Sequence, residues 1–185
     1  MSKRTRDRKA GERLMASYRR RLEILRNSGS FNAFETKDEQ ADRIAAAKAD
    51  PVTFAETYLP HYTTSKCASF QEEAARRILR TSDIRIVLRW ARAHAKSVWA
   101  DVIIPLWLWA RGEPMYMVIV GSSADRAKTL LSDVQAEFEA NPRIIHDFGD
   151  QQMAGNWQDG SFSTRGGFVG VAVGMGRSVR GLRKR

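Results

Sequence analysis

The chain reads as an α/β fold: a parallel β-sheet flanked by helices, with a basic helical extension in front. Three observations predict it. Ile84-Arg85-Ile86-Val87-Leu88 is a short apolar run of strand character. Met115-Tyr116-Met117-Val118-Ile119-Val120 is a second, ending in Gly121-Ser122-Ser123. Between them a long apolar segment of helical character starts after Lys96-Ser97 and ends at Gly112. Strand, turn, helix, strand is a β-α-β unit. Its loop lies at the C-terminal end of the first strand, where α/β sheets take ligands.

The turn itself is basic and built of small residues, Arg89-Trp90-Ala91-Arg92-Ala93-His94-Ala95, and leads into Lys96-Ser97. This is the layout of a phosphate-binding loop, in which backbone N–H groups at a helix N-terminus cradle phosphates. In that layout a Lys reaches the β- and γ-phosphate oxygens and a Ser hydroxyl ligates Mg²⁺. The consensus G-x-x-x-x-G-K-[ST] places glycines where this chain has Trp90 and Ala95. The bland reading of the same residues is an ordinary helix start.

In chain order, residues 1–9 are too charged to order on their own. From about Ala10 to Arg26, Leu14, Tyr18, Leu22 and Leu25 form one stripe of a helix whose other face is Arg-rich, ended by Asn27-Ser28-Gly29-Ser30. Lys37 to Ala49 predicts a second helix, stopped by Asp50-Pro51, and Thr53 to Leu59 a third, stopped by Pro60. A helix from about Phe70 to Arg80 follows, with Ser69 as N-cap and Glu72 completing a capping box. Gln71 stands in its first turn; an amide there can read an adenine edge with one donor and one acceptor. Ala124 to Ala140 is an amphipathic helix with Ala127, Leu130, Leu131, Val134 and Phe138 on its apolar stripe, stopped by Asn141-Pro142. Ile144 to Gly149 is weakly determined. Trp157 to Arg165 holds a strand, with a turn at Arg165-Gly166-Gly167, and Phe168 to Val173 is a further strand.

Charge and cysteine set limits. The net charge of +10 is carried by the ends. Residues 1–26 contribute +7 and residues 177–185 contribute +5, leaving a body of −2. Basic ends on a near-neutral body point to a polyanionic partner, or to solvated tails. Cys67 is the sole cysteine, so no internal disulfide forms and a reducing compartment is the default. His61, His94 and His146 lie far apart without the ligand spacing of a zinc site. The N-terminus has no apolar signal region. The most apolar run, 98–110, contains Asp101 and Pro105 and is too short to cross a bilayer, so no membrane partner is expected.

Taken together, five features in order resemble the ATPase portion of the large terminase subunit of tailed bacteriophages, the DNA-packaging motor. They are Tyr58-Leu59-Pro60-His61; the Phe70-Gln71 helix start; the loop running from Arg89 or Arg92 to Ser97; the strand ending Val118-Ile119-Val120-Gly121-Ser122-Ser123 with Ala127 on the next helix; and Gly174-x-Gly176-x-Ser178-x-Arg180-Gly181-x-Arg183. The likeness covers roughly residues 50–185. Residues 1–50 carry no motif of that family and are read from their own pattern as a basic helical extension; the likeness implies the front part of a P-loop ATPase domain over 51–185. The resemblance implies that Lys96 holds the β- and γ-phosphates, that Ser97 ligates Mg²⁺, and that backbone amides of Ala93, His94, Ala95, Lys96 and Ser97 cradle ATP. It implies Arg92, before Arg89, at the γ-phosphate; Gln71 at adenine; and Arg177, Arg180 and Arg183 in contact with DNA or coupling to it. As partners the resemblance implies double-stranded DNA, the portal and procapsid, and a small terminase subunit, in a ring oligomer working in the host cytoplasm.

The departure from the family is at the acidic strand. A P-loop ATPase needs carboxylates at the end of a buried strand to hold Mg²⁺ and orient water. Asp147 and Asp150 follow only Ile144-Ile145, too short a run for such a strand. The expectation is therefore a front portion that lacks the acidic strand and the nuclease domain, and that turns over ATP weakly or not at all by itself. Other classes compete. A dinucleotide fold fails because Gly174-Met175-Gly176 is followed by Val179 where a glycine is needed. A non-enzymatic basic nucleic-acid-binding protein explains the charge but not Lys96-Ser97 at the turn of a β-α-β unit. A fragment of a helicase-type P-loop ATPase shares the adenine-reading Gln and the coupled arginines.

Overall fold

Asp50 joins the second and third helices of the chain through a single residue. The computed structural model describes residues 3–28, 32, 34–81 and 83–176, with side chains from residue 11 onward except 13 and 14. Within it, α1 (Lys3–Ser28) begins well before residue 10, so the disordered lead expected through residue 9 is replaced by helix from Lys3. Leu14 of the expected stripe lies outside the described side chains. Asp50 ends α2 (Lys37–Ala49) and caps α3 (Pro51–Tyr58): its Oδ2 accepts from the Thr53 N–H at 2.6 Å, and Pro51 at the first helical position gives up no needed donor. Thr36 and Glu39 close a reciprocal capping box at the start of α2.

α4 (Ser69–Arg80) starts one residue earlier than the sequence suggests. Ala68 takes the N-cap position, and the expected Ser69/Glu72 box is absent; instead the Ala68 N–H donates to Gln71 Oε1 at 2.8 Å. After the loop, a π-helical turn π1 (Val98–Ile103) runs straight into α5 (Ile104–Ala110). Pro105 accounts for it. Its ring crowds the carbonyl of residue 101 in a regular α-helix, and a wider turn relieves that contact.

The strands are β1 (Met115–Gly121), β2 (Gln152–Gln158), β3 (Ser161–Thr164) and β4 (Phe168–Gly174), and the helices α6 (Ala124–Ala140) and α7 (Pro142–Phe148) lie between β1 and β2. The sheet is mixed rather than parallel, in the order β1-β4-β3-β2. β1 and β4 are parallel in register from Met115↔Phe168 to Gly121↔Gly174. β3 is antiparallel to β4, and β2 to β3. The antiparallel part comes from a hairpin. Sequence reading assigns one strand to the stretch from Trp157 to Arg165, whereas the structure forms two around Asp159-Gly160, with Gly160 at φ +82°. The weakly determined segment after Asn141 is helix α7, capped by the Asn141 side chain, whose Oδ1 accepts from the N–H groups of Arg143 and Ile144.

α6 lies on the parallel pair and can do so because both strands end in glycine. A Cβ on Gly174 would meet the Ala124 backbone nitrogen at 2.6 Å, and one on Gly121 the Ala127 nitrogen at 2.8 Å. The stripe expected on α6 is seated as predicted: Ala127, Leu131, Val134 and Phe138 are buried, and Leu130 is half-buried. The outer face of α6 receives α1 through Leu22 and Leu25 against Ala136 and Ala140, with Arg21 paired to Asp133 and the Tyr18 hydroxyl donating to Glu139 at 2.8 Å. Arg19, Arg20 and Arg26 of α1 stay exposed. No helix of the described residues is long and apolar enough to cross a membrane.

The first expected strand, Ile84 to Leu88, is present only as extended chain. Even-numbered side chains from 84 to 90 are half-buried and odd-numbered ones exposed, the alternation of a strand. Yet among the described residues 84–91 make no backbone–backbone hydrogen bond. The β-α-β unit expected from sequence therefore has its helix and second strand, with its first strand unpaired.

Candidate phosphate-binding loop

The extended segment delivers the chain to a tight loop. Ala93 has φ 64° and Ala95 φ 52°, both left-handed, and they are the only non-glycine residues with positive φ among those described. Ala95 occupies the position of the second consensus glycine, so the backbone takes the conformation that glycine there would serve. Left-handed residues in a turn direct successive N–H groups into one concavity, the nest geometry that binds anions. Helix begins at Lys96-Ser97, and its first turn is closed by the Trp99 N–H donating to the Ala95 carbonyl at 2.9 Å.

Arg92, His94, Lys96 and Ser97 are exposed, and Ala95 is half-buried against the core together with Trp90 and Val98. The Ser97 hydroxyl does not cap its own helix. Among the described residues Lys96 makes no ion pair. An ammonium and a hydroxyl without partners among the described residues thus stand at a helix start that follows two left-handed residues. Donors of this kind can receive an anionic oxygen such as that of a phosphate group.

The loop is braced from behind by α4. Gln71 is buried, and its Nε2 donates to the His94 carbonyl at 3.1 Å while its Oε1 holds the Ala68 N–H. Both ends of the amide expected at adenine are therefore engaged in fixing the loop. The Phe70 ring lies 5.0 Å from Trp90 and 5.8 Å from His94. His94 Nδ1 is 2.9 Å from the Arg92 carbonyl, tightening the turn further. These braces escaped sequence reading, because nothing in a linear pattern ties Gln71 to a backbone carbonyl twenty-three residues on. The left-handed alanines escaped it too; glycine would have been the visible signal.

Asp101 sits on π1, past Lys96 and Ser97. It is half-buried, and burial pushes its carboxyl above the usual carboxylate range. Asp147 stands at the end of helix α7 and is engaged by Arg43, Gln40 and Tyr58; Asp150 Oδ1 accepts from the Gln152 N–H. Neither stands at the end of a buried strand. Arg177, Arg180 and Arg183 lie outside the described residues. Among the described residues, no group of three or more His, Cys, Asp or Glu is placed to hold a metal ion.

The backbone strain at the loop has a measurable consequence. An alanine in the left-handed region costs about 1 kcal/mol relative to glycine. Ala95→Gly relieves that strain but adds freedom to the unfolded chain, worth about 0.4–1 kcal/mol, so the unfolding free energy should rise by no more than about 0.5 kcal/mol. Urea denaturation checks this, and a loss of stability would mean that the loop is not held left-handed in solution. Comparisons with protein-family models, with curated proteins and with solved structures find no match to this chain.

Proposed function

We propose that residues 92–97 form the phosphate-binding loop of an ATP-binding module in a DNA-packaging motor of the large-terminase type, a P-loop fold. The observation that carries the reading is the left-handed Ala95 set directly before Lys96-Ser97 at the start of a helix. Bound Mg²⁺–ATP supplies the phosphoanhydride whose cleavage drives such motors. The residues of the chain bind and orient it. Amides of Ala93 to Ser97 would receive the phosphate oxygens, Lys96 would neutralise the β- and γ-phosphates, the Ser97 hydroxyl would ligate the metal, and Arg92, on the same exposed loop, would be the cation for the γ-phosphate. Gln71 acts through the loop as a positioning residue, because its amide holds the His94 carbonyl.

DNA is the polyanion the basic helix α1 suits. Its apolar stripe is used against α6, which leaves Arg19, Arg20 and Arg26 to meet phosphates without reading sequence. A portal, a procapsid and a small terminase subunit complete the proposed setting.

The test is calorimetric titration of a non-hydrolysable ATP analogue with Mg²⁺ into the chain and into Lys96→Ala. The expected result is binding by the chain and at least a roughly tenfold loss in the variant, the worth of one charge-assisted contact. Circular dichroism on both proteins separates loss of binding from loss of fold. Absence of binding by the folded chain, or equal binding by both, would remove the reading.

A further inference from the structure

On the N-terminal side of the Leu22–Leu25 contact, a cavity of about 320 Å³ remains between α1, α6 and the β2–β3 hairpin. Its α6 wall is a polar stripe, in which Lys128, Ser132, Gln135 and Glu139 follow at spacings of four, three and four. A helix face covered by another helix is ordinarily apolar. Gln135 is 7% exposed and lines the cavity, yet its amide makes no hydrogen bond among the described residues. Buried side-chain amides are nearly always paired. Neither of its polar atoms is among the sealed ones that lack a partner, so both still reach the open space of the cavity.

One helical turn on, Glu139 carries a matching deficiency of charge. Its Oε2 accepts from the Tyr18 hydroxyl at 2.8 Å and from the Trp157 indole N–H at 3.0 Å, and its Oε1 accepts nothing among the described residues. Both donors are neutral. Burial, then the contact with Glu139, pushes the Tyr18 hydroxyl above its usual range, so it stays protonated. The cations that line the cavity are matched elsewhere, Lys128 to Asp159 at 2.8 Å and Arg21 to Asp133. Glu139 is therefore a half-buried carboxylate with no cation opposite it among the described residues, where burial calls for one.

We infer that this cavity binds a small organic cation with a planar guanidinium head on an alkyl body. Glu139 supplies the missing countercharge. Its Oε1 and the Gln135 amide oxygen, one turn apart on the same helix face, give two acceptors to a fork of N–H donors, which a compact ammonium matches less well. The Tyr18 and Trp157 rings among the walls offer surfaces to a flat cation, and Met15 offers one to the alkyl body. The volume is at the small end of the range for ligand sites, which excludes bulky occupants. No residue of the loop 92–97 lines the cavity, so the inference does not depend on the nucleotide reading.

NMR titration of the full chain with butylguanidinium tests it, with butylammonium and neutral butylurea as controls. Butylguanidinium should shift the Gln135 side-chain amide and the Trp157 indole signals saturably, with a Kd of about 1 mM or below. Butylammonium should bind at least about tenfold more weakly, and butylurea should leave both signals in place. Glu139→Gln keeps an acceptor for Tyr18 and Trp157 while removing the charge, and should weaken butylguanidinium by about tenfold or more. Gln135→Leu removes the second acceptor and should bring butylguanidinium down to the level of butylammonium. Circular dichroism confirms that each variant is folded, and either one that folds suffices as the test. Absence of saturable shifts in the folded chain up to about 10 mM would overturn the inference. So would equal binding of either control, or binding left unchanged by Glu139→Gln or by Gln135→Leu.

Discussion

Phe138→Ala should lower the unfolding free energy by about 4 kcal/mol, the middle of the range for removing a buried aromatic ring. Phe138 is fully buried on α6 and is the hub of the aromatic cluster under the sheet. Trp109 meets it edge-on at 4.8 Å, Phe168 of β4 lies at 5.3 Å and Phe162 of β3 at 6.1 Å. Phe162 and Phe168 stack on each other at 5.8 Å. The partners come from α5, β3 and β4, so no single element can move in to refill the space. Dispersion contacts on several sides are lost along with the transfer free energy. Domains of this size have only about 5–15 kcal/mol in total, so the variant should approach marginal stability. Urea denaturation is the measurement: the midpoint should fall with the slope unchanged. Phe138→Leu should lose only a fraction of that. A loss below about 1 kcal/mol for the alanine variant would mean that the cluster collapses onto the cavity and is less rigidly built than its rings suggest.

Phe138 was legible from sequence because helical periodicity needs no knowledge of partners. The same holds for α2 and for all of α6, whose ends are marked by Asp50-Pro51 and Asn141-Pro142. The short α7 was not legible, because seven residues, about two helical turns, are too few to show a periodicity. The β2–β3 hairpin had its signal in Asp159-Gly160, but Met153-Ala154-Gly155-Asn156 lacks the alternation that marks a strand. Ile84 to Leu88 is the instructive case. Its composition is that of a strand, and the local conformation follows, but pairing is a property of neighbours that a local pattern cannot supply. At the candidate site Lys96 and Ser97 were legible as residue types. The conformation that gives them meaning was not, since it is held by Ala93, Ala95 and the distant Gln71.

Asp147 shows the same limit from the other side. Sequence weighs it only as a carboxylate for Mg²⁺, whereas the structure makes it the anchor of three helices. Its Oδ1 accepts from Gln40 at 2.8 Å; its Oδ2 accepts from Arg43 at 2.6 Å and from the Tyr58 hydroxyl at 2.8 Å. Only 1% of the side chain is exposed, and Arg43 is held in turn by Glu35. Burial by itself would push this carboxyl up, but the hydrogen bonds from Arg43, Gln40 and Tyr58 prevail and hold it below the usual carboxylate range. Asp147→Asn keeps the shape and removes the charge, leaving a guanidinium facing an amide. A loss of about 3 kcal/mol at neutral pH is expected, the cost of breaking a buried pair from one side. The pH dependence follows from the sign of the shift. A carboxyl whose folded pKa is depressed stabilises the fold fully above its unfolded value, near 4, and loses that contribution as pH falls through the lower folded value. The wild-type protein and Asp147→Asn should therefore differ by a constant amount down to about pH 5 and converge below about pH 4. Thermal or urea unfolding from pH 7 to pH 2 reads this directly. A gap that persists undiminished at pH 2 would show that the loss comes from packing rather than from charge, and that Arg43 finds another partner when Asp147 is gone.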